Sequence, residues 1–94
     1  MLTLSAEAAE QVAIKGFLRL ASDDDLLMRF SAITGILPND MRQVASEPHF
    51  MVGVLDFYLA HEPDLLAWAD ADNMAPENVM AARFALAPND ESGF

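Results

Sequence analysis

The chain has 94 residues, 53% of them hydrophobic, with 15 Asp and Glu against 5 Lys and Arg, for a net charge of −10 at pH 7. That describes one small globular domain rather than a disordered segment. The charge argues against nucleic acid and anionic membranes, which draw affinity from Lys and Arg, and the absence of Cys excludes disulfides, thiolate metal sites and thiol catalysis.

The opening "MLTLSAEAAEQ" is acidic and carries no basic stretch, so a secretory signal is not expected. A first helix is expected from about Ala6 to Ala21. Ser5 is its N-cap, Glu7 lies in its first turn, and Ala9, Val12, Ala13, Phe17 and Leu20 recur at helical spacing. Gly16 either permits a close crossing or weakens the helix. A second helix starts from Ser22 or Asp23, where "SDDD" gathers acid at the positive end of the helix dipole. Leu26, Leu27, Phe30 and Ile33 form its expected buried stripe, and Gly35 is its left-handed C-cap.

Prolines then punctuate the chain. Pro38, Pro48, Pro63 and Pro76 each precede a segment of helical character, the position that proline tolerates best. The third helix is expected from Pro38 to Ser46, with Leu37 as a hydrophobic staple. The fourth, Pro48 to Ala60, is apolar on almost every face and is the expected central element. Its run "FMVGVLDFYLA" includes Asp56 and is shorter than the roughly 20 residues a bilayer requires. The fifth helix runs from Pro63 to about Asp72 and the sixth from Pro76 to about Leu86. Residues 88–94 read as a flexible tail.

No stretch alternates in the manner of a strand, so the fold class is all-α: about six short helices around the helix near residues 48–60, in a single domain spanning 1–87. "GILPNDMRQVA" (35–45) is echoed by "NMAPENVMAAR" (73–83). Two copies are read as convergence on one way of starting a helix.

Four constellations bear on chemistry. His49 and His61 stand at opposite ends of the fourth helix, roughly 18 Å apart at 1.5 Å per residue, too far to share a metal. His61 near a helix C-terminus is explained as a dipole partner. Asp70, Asp72 and Glu77 lie in a carboxylate-rich stretch that lacks the glycine and closing glutamate of a calcium loop. Asp56, inside the most apolar helix, needs a partner, and Arg29 and Arg83 are the candidates. Six methionines make the fourth feature. Met serves adaptable binding surfaces and irregular cores alike, and Trp68 is either a core anchor or an interface hot spot. No phosphate loop, nucleophile elbow or dinucleotide glycine pattern occurs.

The segments "TGILPNDMR", "FMVGVLDFYLAHEPDLLAWA" and "PENVMAARFAL" resemble the small alphaproteobacterial proteins catalogued as domain of unknown function 3572 (DUF3572). The resemblance covers nearly the whole chain and implies an all-helical fold and a bacterial, cytoplasmic setting. The family carries no assigned activity and supplies no catalytic residues.

The expected role is that of a non-enzymatic interaction or regulatory module with no cofactor and no metal. Its partner would be a protein, unknown or a second copy in a homodimer, rather than nucleic acid or membrane. Met41, Arg42, Trp68, Met74 and Met80 are the expected partner-binding residues. A helix-turn-helix reading DNA with residues 38–46 is the first alternative, and a metal-dependent enzyme built on His49 or His61 the second.

Overall fold

The computed structural model describes residues 3–88. It holds α1 (Ala6–Ala21), α2 (Asp24–Thr34), a 3-10 turn (Pro38–Asp40) leading into α3 (Met41–Val44), α4 (Pro48–Leu59), α5 (Glu62–Ala71) and α6 (Glu77–Leu86). Among the described residues there is no strand. The all-α expectation holds. The expected tail lies outside the described residues except for Pro88.

Helix starts follow side-chain chemistry. Ser5 Oγ accepts from the Ala8 amide at 3.1 Å. Asp23 Oδ1 accepts from the Asp25 and Leu26 amides at 3.0 and 3.2 Å, which makes it the N-cap of α2. Ser22 instead ends α1, donating its hydroxyl to the Arg19 carbonyl at 2.9 Å. Gly35 closes α2 with φ 76°, a left-handed angle that costs glycine little. Asn73, before α6, is the other described residue with positive φ, at 51°. The echo between 35–45 and 73–83 is therefore one backbone device used twice: a left-handed residue, a short link, then proline.

Several boundaries differ from expectation. The helix expected over 38–46 is only a 3-10 turn and one α-turn. No side chain caps either start, and Pro48 holds Glu47 extended at ψ 134°, so the helix has no room to grow. Leu37, the expected staple, is exposed. Ile33 is also exposed, because α2 overhangs a crevice at that end. α5 begins at Glu62 with His61 as its N-cap, so His61 joins the two helices: its amide donates to the Tyr58 carbonyl at the end of α4, and its own carbonyl accepts from the Asp64 and Leu65 amides of α5.

α4 is the centre, burying Phe50 to Leu55, Phe57 and Tyr58. It packs with α1 and α6 as a mutually contacting trio, while α2 and α5 flank it. Ala9 and Ala13 on α1 and Ala82 on α6 are buried and small, letting those helices approach closely. Six rings run through the core in sequence: Phe17, Phe50, Phe30, Phe57, Tyr58 and Trp68. The phenylalanine contacts are edge-to-face with centroids 5.4–5.6 Å apart, the arrangement their quadrupoles favour. At the end of this row the Trp68 ring lies against Gly16, and Tyr58 Oη donates to the Gly16 carbonyl at 2.9 Å. Of the two readings of Gly16, the close crossing is the one the structure contains.

Candidate functional site

Charge gathers at one crevice. Asp64, in the first turn of α5, takes two side-chain nitrogens on one oxygen: Arg29 Nη1 of α2 at 2.9 Å and His61 Nδ1 at 2.8 Å. Arg29, more than any other group, holds the Asp64 carboxyl below the usual carboxylate range. The Arg29 guanidinium also lies 5.7 Å from the centre of the Phe57 ring. Beside them a cavity of about 290 Å³ is lined by Arg29, Ile33, Asp56, Phe57, Ala60 and His61. Asp56 at its edge takes Arg83 Nε at 2.9 Å, so of its two candidate partners Arg83 is the one engaged. These ion pairs tie α2 to α5 and α4 to α6. Their geometry is that of a clamp, with each cation committed to a carboxylate.

A larger concavity lies elsewhere and is apolar. It measures about 650 Å³ and lies between the start of α1 and the outer face of α6. Leu4, Ala6, Met80, Ala81, Phe84 and Ala85 line it, and among the described residues Glu77 is the only charged one in its walls. Helical spacing explains how α6 builds it. Val79 and Ala82 point into the core. Met80, Ala81, Phe84 and Ala85 recur at i, i+1, i+4 and i+5 on the opposite side. Arg83, the basic residue of α6, is turned to Asp56. The result is a helix apolar on both faces with one of them open: Met80 is 57% and Phe84 65% exposed. Every other described aromatic residue is at least partly buried.

The family model for a protein of unknown function, DUF3572, matches residues 6–89. The chain belongs to this family. No curated protein and no solved structure matches it.

The residues expected to bind a partner thus fall into separate places in this DUF3572 chain. Met41 is 1% exposed and Trp68 0%, so both are core and neither can meet a partner without opening the domain. Trp68 also donates Nε1–H to Asp72 at 2.8 Å, which fixes its ring and occupies one of the carboxylates of the acidic stretch. Met74 packs half-buried against the core. Arg42 is exposed on α3, remote in sequence from the groove. Met80 alone among them lines the groove. Phe84 was missed. Its signal is present in the sequence as apolar residues on both sides of α6, Val79 and Ala82 on one and Met80 and Phe84 on the other.

His49 is exposed beside Glu47 at the start of α4. Among the described residues no three His, Asp or Glu side chains gather as a metal site would need. The helix-turn-helix alternative loses its reading helix, since α3 is a single turn whose first residue is buried. No described helix is long and apolar enough to cross a membrane.

Proposed function

We propose that this DUF3572 protein is a small non-enzymatic interaction module of the bacterial cytoplasm that docks a protein on the α1–α6 groove. One observation carries the reading: α6 presents Met80 and Phe84 to solvent while its other face is already buried. A helix apolar on both faces belongs inside a structure, and contiguous exposed apolar surface marks an interaction site. Met and Phe are enriched in interface cores. The cytoplasmic setting is supported by the absence of Cys, because small secreted domains lean on disulfides.

The test is site-specific photo-crosslinking in the native host. A probe at Ala81, inside the groove, should yield discrete protein adducts, and a probe at Gln43 on α3 should not. The double substitution M80S/F84S should remove the Ala81 adducts while leaving the thermal midpoint within a few degrees, because both side chains are more than half exposed. Equal adducts at both positions, or unfolding of the double variant, would refute the proposal.

A further inference from the structure

The groove's surroundings say what kind of partner it takes. We infer that the α1–α6 groove receives a basic amphipathic helix, an inference that rests on the docking role proposed for the same groove. Three observations converge on it.

The first is shape. The groove runs along α6, whose ten residues extend about 15 Å at 1.5 Å per residue. A trough about three helical turns long with an apolar floor is the form that receives the apolar face of a helix through side chains at i, i+3, i+4 and i+7.

The second is charge. Glu77 lines the groove at the start of α6. On α1, Glu7 and Glu10 follow Ala6, itself a lining residue, and the first basic residue of that helix is Lys15. Arg83 is engaged with Asp56. An incoming helix therefore lays its apolar face on Met80 and Phe84 and its flanks beside carboxylates. Lys and Arg on those flanks gain attraction, and Asp or Glu meet repulsion.

The third disfavours a second copy as the occupant. A two-fold interface centred on this groove sets each patch against its own twin. It would bring Glu77 towards Glu77 and join two chains of net charge −10.

The experiment uses the full chain and two synthetic helices of the same length and the same Leu/Phe pattern, one with Lys and Arg at its polar positions and one with Glu. Binding is read by fluorescence anisotropy, and the site by amide shifts in NMR spectra. The basic helix should bind at least about tenfold more tightly than its acidic twin at low salt. Shifts should centre on Ala6, Glu77, Ala81 and Ala85. The preference should shrink several-fold as NaCl rises from 10 mM to 300 mM, and E7Q/E10Q/E77Q should remove most of it. Equal binding of the two helices at the groove would overturn the basic-partner inference and leave the docking role standing. Binding of neither, together with a dimer in sedimentation that F84S dissolves, would make a second copy the occupant. That outcome also overturns the inference alone. Binding of neither with a monomeric protein would overturn both.

Discussion

A methyl group on Gly16 would stand 2.9 Å from Trp68 Cη2 and 3.2 Å from Cζ2, closer than packed carbons tolerate. The ring cannot swing away easily, since Asp72 holds its Nε1–H and Tyr58 lies on it with centroids 4.5 Å apart. Overpacking of this kind costs about 1–3 kcal/mol, while alanine in place of glycine within a helix returns about 1 kcal/mol. Gly16→Ala should therefore destabilise by about 1 kcal/mol net, seen as a lower urea midpoint with an altered Trp68 emission. A midpoint that rises would mean the ring has room to move. Tyr58→Phe keeps the ring and removes its hydrogen bond to the Gly16 carbonyl. It should cost about 1 kcal/mol, and an unchanged midpoint would show that the bond contributes nothing net. Burial raises the Tyr58 phenol well above its ordinary pKa, so the hydroxyl stays protonated and donating through the neutral range. The sequence marks Gly16 as a place for close approach. It does not name Trp68 as the neighbour, because that contact belongs to the packing of α1 on α5 and has no local signature.

Elements were legible where one side chain decides them. Ser5, Gly35 and the all-round apolar α4 could be read directly, and each has the expected role. α3 could not, since its shortness follows from two prolines and missing caps acting together. His61 was read from one side only, for a related reason. Two residues, Ala60 and His61, join α4 to α5, and only the observed contact with Asp64 shows that the imidazole turns to α5. Asp64 has a pH consequence too, owed chiefly to Arg29. Asp64's carboxyl is held low in the folded state, so it favours folding in full above its ordinary value of 3.8. The contribution is lost as pH falls through the lower folded value. Unfolding midpoints taken at pH 6 and pH 3 should fall less for Asp64→Asn than for the parent chain. Equal falls would place the acid sensitivity in other carboxylates. The groove's Phe84 escaped notice at this scale too. Spacing shows that a helix has apolar residues on two sides, and only the fold shows which side is left uncovered.

At the scale of the molecule, the imbalance of 15 acidic against 5 basic residues sets the behaviour. The described domain measures 36 × 26 × 19 Å. At 10 mM salt the screening length is about 30 Å, so charges repel across the whole body, and at 100 mM it falls to about 10 Å. Self-repulsion of this kind opposes the compact state. Raising salt across that range should therefore stabilise the fold by on the order of 1 kcal/mol, or about 4–8 °C in thermal midpoint for a domain of this size. Salt also weakens the Arg29–Asp64 pair, whose arginine is open to water though its carboxylate is mostly covered, but pairs reached by solvent contribute only about 0–1 kcal/mol. A midpoint that falls with salt would mean that ion pairs outweigh repulsion.

The most extensive contact between helices joins α1 to α6. During synthesis α1 emerges first, yet α6, the neighbour it contacts most, is the last helix to be made. Nearly the whole domain must be translated before that contact can form, and such distant pairings form slowly. Ala9 and Ala13, buried in the finished fold, offer little to wrong partners during that interval because they are small. The small residues that allow α1 and α6 to approach so closely in the finished fold also make its first helix a poor nucleus for aggregation while it waits.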